Sequence, residues 1–324
     1  MRRPALASTV FGVTLALMQA PPAFAAVNDD TFVSSSGSDN NAFVIPSCGY
    51  SNPCRTIQGA LNGTPAGHTV VVLTPGSYGT VNLNNSWQII ADGVDWAQID
   101  QLTINAGPGD IVTLRGLVFD GESLGAAAQG VHIGQASAVH MQNCVVRNYL
   151  GYGIVSQPSG TIRTRLFISD TTILNVGSTG GTSGIYLGPN GAAGVDAVLD
   201  RVHLENNVIG LWADGFNGTG IGVHVVLRDS VVSGNVGDGI WAHSAPGKSP
   251  AFVVIDHTAS VGNAGNGVLA DGPRAIVVLN DDTISRNGTG ISAINNGQII
   301  SFGNNKNFNN VGPEGAPTGF FSQM

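Results

Sequence analysis

A glycine followed by an aliphatic residue recurs seven times at similar intervals in the later part of this sequence. The pairs start at residues 130, 153, 184, 210, 239, 267 and 290, so the intervals are 23, 31, 26, 29, 28 and 23 residues. A period of about 20 to 50 residues is typical of solenoids, in which each repeat forms one coil that packs on its neighbours. The repeat therefore predicts a stack of coils and disfavours a sandwich.

The composition favours strands over helices. The 324 residues include 46 glycines, and only 10% of the residues are charged, whereas an ordinary globular domain has about 7% glycine and about 25% charged residues. Short runs of Val and Ile separated by Gly, Asn, Asp and Ser indicate many short strands joined by tight turns. The predicted fold class is all-β.

Apolar residues alternate within each repeat. The residue after the glycine and the residue two positions later are small or apolar, as in Leu211 and Ala213. Successive side chains of a strand point to opposite faces, so these two positions are expected to face the core and the positions between and after them to face outward. A second inward strand is predicted in each repeat from runs such as Val254-Ile255.

The N-terminus has the layout of a secretory signal peptide. Arg2 and Arg3 precede a mostly apolar stretch over residues 5–20, and Ala23-Phe24-Ala25 follows. Cleavage is predicted after Ala25, so the protein is expected to be secreted or periplasmic. The apolar stretch is short for a membrane anchor, and no later segment is expected to span a bilayer.

The charge balance bears on the partners of the mature protein. The chain has 13 basic and 21 acidic residues, and removal of Arg2 and Arg3 leaves 11 basic residues (13 − 2) and a net charge near −10 (11 − 21). Such a charge disfavours nucleic acid and anionic membranes as partners.

The three cysteines fit an oxidising compartment. Cys48 and Cys54 enclose a short, turn-rich segment that could close a local disulfide. Cys144 lies in a strand-like run and is expected to be a buried, inert thiol.

The order of segments predicts one elongated domain. Residues 54–63 hold apolar residues at Ile57, Ala60 and Leu61, which predicts a short amphipathic helix that starts at Thr56 and ends at Gly63. Such a helix could cover the first coil and prevent edge pairing. The expected organisation is a signal peptide (1–25), a polar lead with the disulfide (26–53), a β-helix with an N-terminal cap (54–300) and a terminal coil or tail (301–324).

Two motifs and the coils after them carry a family resemblance. The residues Pro53-Cys54-Arg55-Thr56-Ile57-Gln58 and Thr74-Pro75-Gly76-Ser77-Tyr78, followed by irregular Gly-Ile coils, resemble exported right-handed parallel β-helix proteins of the pectin-lyase-like superfamily. The resemblance covers most of residues 31–310 and implies that fold, with polysaccharide as the substrate class. The superfamily includes lyases, hydrolases, esterases, phage tailspikes and adhesins. Of its enzyme signatures only Asp281-Asp282 is similar to one, so the resemblance implies no catalytic residue.

Polar residues recur after the second inward strand of each coil. Asparagines at 207, 235, 263 and 287, with Asn148 and Asn175 at similar places, are expected to occupy left-handed turns and to stack into hydrogen-bonded ladders. Nearby carboxylates are expected to bond turn backbone, the alternative being a calcium site. They are Asp200, Asp229, Asp256, Asp281 and Asp282.

One outward face combines aromatic and ionisable residues. Tyr186, Trp212 and Trp241 occupy equivalent positions in adjacent coils, and so do Asp214, His243 and Asp271. An outward aromatic stripe can stack on sugar rings while acids and histidine bind hydroxyl groups. The alternative is that loops cover the rings, which then form a satellite packing cluster.

Two kinds of cleavage chemistry are compatible with this face. Asp214 and Asp271 would lie two coils apart, roughly 9 to 10 Å, which suits inverting glycoside hydrolysis with His243 as an acid or base. A lyase would instead need cations for a uronate carboxylate, and Lys248 and Arg274 are the nearest candidates.

The first functional hypothesis is therefore an exported protein that binds an extracellular or envelope polysaccharide along this aromatic groove, with cleavage by a lyase or hydrolase left open. The alternative hypothesis is a non-catalytic structural or adhesive solenoid.

Overall fold

Strands that pair only with equivalent strands of adjacent coils build this chain into a parallel β-solenoid. The computed structural model describes residues 30–43, 47–122, 124, 129–178 and 180–321. The predicted signal peptide and its cleavage site lie outside the described residues. The predicted fold class, a right-handed parallel β-helix with a short N-terminal helix, is confirmed. None of the helices within the described ranges is long and apolar enough to cross a membrane.

The strands form three sheets that run along the solenoid, and the paired strands are parallel throughout the described chain. The first sheet has 12 strands: Thr31–Val33, Thr69–Val72, Trp87–Ile90, Ile111–Arg115, Ala138–Gln142, Arg163–Ser169, Gly194–Asp200, Gly222–Arg228, Ala251–Asp256, Ala275–Asn280, Gln298–Ser301 and Gly319–Phe320. The second sheet has 10 strands: Gly76–Ser77, Ala97–Ile99, Val118–Asp120, Val145–Arg147, Thr172–Leu174, His203–Glu205, Val231–Ser233, Ala259–Val261, Thr283–Ser285 and Lys306–Phe308. The third sheet has nine: Thr80–Leu83, Gln101–Asn105, Val131–Gln135, Ile154–Ser156, Ser183–Leu187, Ile209–Asp214, Ile240–His243, Asn266–Asp271 and Thr289–Ile294. Strands of the first sheet therefore extend the stack to both sides of residues 54–300, and the second sheet adds Lys306–Phe308 on the C-terminal side.

The N-terminal end of the stack carries two short helices and the disulfide. A 3-10 helix spans Asp39–Phe43, and the predicted α-helix spans Ile57–Gly63, with the backbone N–H of Gly59 donating to the Thr56 hydroxyl at 2.9 Å. A disulfide joins Cys48 to Cys54, whose Cα atoms lie 5.0 Å apart. The backbone N–H of Ser34 donates to the carbonyl of Cys54, so this loop lies beside the first strand of the first sheet.

The inward positions form the core as the alternation predicts. Leu211, Ala213, Ile240 and Ala242 of the third sheet are fully buried and belong to one continuous core cluster. The apolar helix residues join the same cluster, so the helix extends the core at the N-terminal end.

The repeated glycines are needed because adjacent coils approach closely. A Cβ atom on Gly210 would lie 2.5 Å from the carbonyl oxygen of Gly239, and one on Gly153 would lie 2.6 Å from the carbonyl oxygen of Gly184. Real Cβ contacts are longer than 3.0 Å, so each glycine leaves room for the backbone of the next coil.

Buried asparagines form a ladder between the second and third sheets. The Oδ1 atoms of Asn235, Asn263 and Asn287 accept the backbone N–H of the ladder residue one coil earlier at 2.9 to 3.1 Å. The Nδ2 groups of Asn207, Asn235 and Asn263 donate to strand carbonyls at 3.1 to 3.2 Å. The predicted ladder is therefore present.

The predicted left-handed conformation of these asparagines is wrong. Positive φ angles belong to the residue before the ladder position, such as Asn206 (54°), Asn175 (55°) and Asn148 (62°). Asn148 and Asn175 are thus in the left-handed column, and Val176 takes the ladder position, where its N–H donates to Asn207 Oδ1 at 3.1 Å.

The turn between the first and second sheets has a constant length along the central coils. Asp229 and Ser230 alone separate Gly222–Arg228 from Val231–Ser233, and His257 and Thr258 alone separate the equivalent strands of the next coil. The first residue of each turn has a positive φ, 50° for Asp229 and 49° for His257. The connections from the third sheet to the first are longer and unequal, for example residues 244–250 and 272–274.

Candidate functional site

The strand register places the three predicted aromatic residues in one row on the outer face of the third sheet. Tyr186 pairs with Trp212, and Trp212 pairs with Trp241. The two indole rings stack at 4.5 Å with an interplanar angle of 10°, and Tyr186 meets Trp212 edge-on at 5.0 Å. Tyr152, one coil earlier, stacks on Tyr186 at 5.0 Å. Each of these rings therefore packs against its neighbour along the row.

This row, the aromatic stripe (Tyr186, Trp212, Trp241), points away from the core but is largely covered. Tyr186 is 5% exposed, and both tryptophans are half-buried. Tyr186 lies outside the core cluster, so it is buried by neighbours on the outer face. The indole Nε1 atoms of both tryptophans are buried and have no hydrogen-bond acceptor among the described residues. An unpaired buried donor costs about 1 to 3 kcal/mol, which offsets part of the stability that the stacked rings contribute.

Asp214 holds Tyr186 and His243 together at the ends of their strands. The Tyr186 hydroxyl donates to Asp214 Oδ2 at 2.8 Å, and His243 Nδ1 bonds Asp214 Oδ1 at 2.9 Å. The backbone N–H of Phe216 donates to the same Oδ1 at 2.9 Å. Asp214 is 4% exposed, and both of its oxygens are occupied. It accepts three hydrogen bonds from protein groups and is nearly inaccessible, so it is placed to orient its partners.

The electrostatics of the site centre on His243. The hydrogen bond to Asp214 raises the pKa of His243 above its ordinary 6.5, partial burial opposes this, and the charges of Asp214 and Asp271 add to it. Burial raises the pKa of Tyr186, and the charge of Asp214 adds to this effect, so the phenol stays protonated and donates. The His243 side chain is 20% exposed, and its Nε2 has no hydrogen-bond partner among the described residues.

Asp271 lies next to His243 in the following strand. The register pairs Asp214 with His243 and His243 with Asp271, so the three predicted ionisable residues do form one column. Asp271 Oδ1 accepts a hydrogen bond from Asn295 Nδ2 at 2.7 Å, and its side chain is half-buried. Because Asp214 is 4% exposed and already accepts three hydrogen bonds, the column does not offer the two accessible carboxyl groups that inverting hydrolysis requires.

Lys248 and Arg274 lie together on the loops that follow Ile240–His243 and Asn266–Asp271. The Arg274 guanidinium donates to the Lys248 carbonyl at 2.7 Å, and the Arg274 backbone N–H donates to Ser244 Oγ at 3.0 Å. Ser244 is the neighbour of His243 in sequence, so the two loops come together beside the histidine strand.

Phe216 is a residue of this site that the sequence analysis did not single out. Its ring stacks on His243 at 5.5 Å with an interplanar angle of 12°, and it remains 46% exposed. The hydrogen bond from its N–H to Asp214 fixes the turn that brings the ring there. In the sequence, only its position two residues after the predicted acid Asp214 indicates that Phe216 could belong to the site. We call Tyr186, Asp214, Phe216, His243 and Asp271 the His243 site.

A second exposed aromatic surface lies on the first sheet and was also missed. His140 stacks on Phe167 at 4.7 Å, and Phe167 lines a shallow groove of ≈ 440 Å³ with Arg165, His224 and Phe252. These residues belong to strands that the sequence analysis treated only as a source of core residues.

Within the ranges that the structure describes, no group of three or more His, Cys, Asp or Glu side chains is arranged to hold a metal ion. Of the acids expected to bond turn backbone, Asp282 does so, accepting the backbone N–H groups of Thr258 and Asn280 at 3.0 Å. The expectation is wrong for Asp200 and Asp256, which bond the side chains of Arg228 and His257 at 2.9 Å because these polar side chains lie next to them on the outer face.

Comparisons with known proteins agree with this architecture. A pectate lyase structure (Pel9A) is 14% identical and superposes with a TM-score of 0.50 over 84% of this chain and 67% of that chain. The ORF18 protein of Geobacillus virus E2 (10% identity, TM-score 0.48, 83% and 58% of the two chains) and a rhamnogalacturonan lyase (12%, 0.40, 87% and 87%) are more distant in shape. No curated protein matches the sequence significantly.

The family described as "Right handed beta helix region" matches residues 129–307, which is more than half of the chain. The matched residues include every strand that contributes to the His243 site. This chain therefore belongs to the right-handed β-helix family.

Proposed function

We propose that this protein is exported, binds an acidic polysaccharide at the His243 site and cleaves it by elimination, with His243 as the base. The observation that carries the proposal is the hydrogen-bonded chain from Tyr186 through Asp214 to His243, which leaves one imidazole nitrogen free at a partly exposed position. A histidine oriented by a buried carboxylate is a common arrangement for proton transfer.

The surroundings of His243 support a sugar ligand. Phe216 offers an exposed ring beside the imidazole, and aromatic faces pack well against the apolar faces of sugars. Lys248 and Arg274 lie on loops that contact each other beside the same strand, which supports a role for these two cations in neutralising a uronate carboxylate. The pectate lyase with the same fold supports polysaccharide as the substrate class.

Elimination fits these residues better than hydrolysis because it needs one free base. His243 Nε2 would accept the proton from the carbon next to the uronate carboxylate. The electron pair of the broken C–H bond would form a carbon–carbon double bond as the bond from the neighbouring carbon to the leaving sugar oxygen breaks. The leaving oxygen would take a proton from water. Asp214 would stabilise the protonated imidazole without contacting the substrate.

The test is cleavage of a panel of uronic and neutral polysaccharides, with and without calcium. Elimination creates an unsaturated product that absorbs in the ultraviolet, and size-exclusion chromatography reports shortening. We expect His243→Ala to lower the cleavage rate at least a hundredfold, and His203→Ala, an exposed histidine bonded to Glu205, to leave it unchanged. Equal loss in both variants, or an unaltered rate in His243→Ala, would refute the role of His243.

Export is tested separately by the mass of the protein recovered from the periplasm or medium. We expect the mass of a chain that starts at Ala26, and recovery of the intact N-terminus only inside the cell would contradict export.

One observation favours the alternative, a non-catalytic structural or adhesive solenoid. The stripe rings stack on one another, so they leave little ring surface for a ligand. If the wild-type protein neither shortens nor retains any polysaccharide of the panel, this alternative replaces the proposal.

A further inference from the structure

We propose that a cleft at the N-terminal end of the third sheet binds a neutral saccharide, independently of the His243 site. The cleft has a volume of ≈ 370 Å³ and lies between the helix Ile57–Gly63 and the strands Thr80–Leu83 and Gln101–Asn105. Six side-chain amides line it, and we call it the amide cleft. They are those of Gln58, Asn62, Asn82, Asn84, Asn85 and Asn105.

The amide cleft is distant from the His243 site. Gln101–Asn105 is the second strand of the third sheet and Ile240–His243 is the seventh. Five steps of about 4.8 Å separate them, roughly 24 Å along the axis. A ligand in the cleft therefore does not contact His243 unless it is a chain of several sugars.

Several amides are fixed by the protein, and others are free. Gln58 Oε1 accepts the backbone N–H of Asn82 at 2.9 Å, and Gln58 Nε2 donates to Asn62 Oδ1 at 3.1 Å. Within the part of the chain that the structure describes, the side-chain amides of Asn82 and Asn105 have no hydrogen-bond partner. The cleft thus combines a fixed frame with donors and acceptors that remain available.

Two further features favour a built site over an accidental depression. The Thr64 hydroxyl, which lines the cleft, is buried and has no partner among the described residues. A Cβ atom at Gly134 would lie 2.1 Å from Asn105 Oδ1, so the glycine leaves room for that amide at the cleft margin. Gly134 also sits where the strand register shifts between Ile133 and Gln135.

The chemistry of the lining selects the ligand class. An amide offers a donor and an acceptor side by side, which matches the paired hydroxyl groups of a sugar. Leu61, Leu83 and Trp87 also line the cleft, but they are core residues that are only 9%, 1% and 4% exposed, so the amides carry the recognition. No side chain of the lining is charged, which favours a neutral sugar over a uronate.

The experiment is a titration of the full chain with neutral disaccharides (gluco-, xylo-, manno- and galacto-configured) and with digalacturonate, which are too short to reach His243 from the cleft. Calorimetry gives the dissociation constant and the number of sites. We expect saturable binding of at least one neutral disaccharide, weakened at least tenfold in Asn82→Ala with Asn105→Ala.

Three controls separate this proposal from the proposed function. Asn82 and Asn105 are exposed, so the double variant is expected to fold, and circular dichroism verifies this. Asn40→Ala, an exposed amide outside the cleft, is expected to bind like the wild type. His243→Ala is expected to lose cleavage while neutral binding stays unchanged.

Failure of all neutral sugars to bind, or equal affinity in the double variant and the wild type, would overturn the cleft proposal. Neither result affects the test of His243, because cleavage is measured with a different variant. If the double variant proves unfolded, Asn105→Asp is used instead, and unchanged neutral binding there refutes the proposal.

Discussion

Replacing Asn263 by alanine removes one rung of the asparagine ladder, and we expect it to destabilise the protein by about 3 to 5 kcal/mol. Asn263 Oδ1 accepts two hydrogen bonds from Asn235, from its backbone N–H at 3.1 Å and from its Nδ2 at 2.7 Å. Asn263 Nδ2 donates to the carbonyl of Val232 at 3.2 Å and to Asn287 Oδ1 at 2.9 Å. All of these bonds lie in the buried interior.

The magnitude follows from what the alanine leaves unpaired. The N–H of Asn235 loses its acceptor at a site that is 1% exposed, and an unpaired buried group costs about 1 to 3 kcal/mol. The other lost bonds contribute about 0.5 to 1.5 kcal/mol each, and the removed side chain leaves a small void. Asn235 Nδ2 still donates to the carbonyl of Leu204, which limits the total.

The assay is urea unfolding followed by far-ultraviolet circular dichroism. Asn217→Ala is the matched control, because Asn217 is exposed and its side-chain amide makes no hydrogen bond within the described chain. We expect the control to stay within about 0.5 kcal/mol of the wild type. Equal unfolding midpoints for the two variants would show that the ladder contributes no net stability.

Three further predictions concern individual side chains. Cys144 is 1% exposed and burial raises its pKa to about 11, so a thiol reagent at neutral pH should label it only after unfolding; rapid labelling of the folded protein would contradict this. Changing Cys48 and Cys54 to serine opens a short loop and should cost about 2 kcal/mol in urea unfolding, a value that an unchanged midpoint would refute. Asp214→Asn should return the pKa of His243 toward 6.5, seen by NMR titration of the imidazole. Because the pKa of His243 is raised in the folded state, the protonated imidazole stabilises the wild-type protein fully below pH 6.5, and this stability is lost as the pH rises through the raised pKa. The Asp214→Asn variant should lack this pH dependence of the free energy of unfolding.

The strands and the core could be predicted from sequence because they depend on short-range alternation. The residues after each glycine, such as Leu211 and Ala213, face the core since a strand repeats every two residues. The aromatic column was predictable for the same reason, as Trp212 and Trp241 occupy equivalent positions of adjacent strands.

The features that could not be predicted depend on which residues become neighbours across coils of unequal length. Asn175 and Asn207 look equivalent in sequence, but the structure aligns Asn207 with Val176. The hydrogen bond from the Phe216 N–H to Asp214 and the stacking of Phe216 on His243 depend on the path of a loop that no periodicity describes.

The two kinds of turn divide the protein into a part that must keep its length and a part that can vary. A constant two-residue turn such as Asp229-Ser230 holds the first and second sheets in register from coil to coil. Residues 244–250 and 272–274 show that the connection from the third sheet to the first can change length while the strands on both sides stay paired. Lengthening or exchanging these connections therefore alters the surface around His243 without altering the stack, so specificity can diverge on an unchanged scaffold by loop replacement alone.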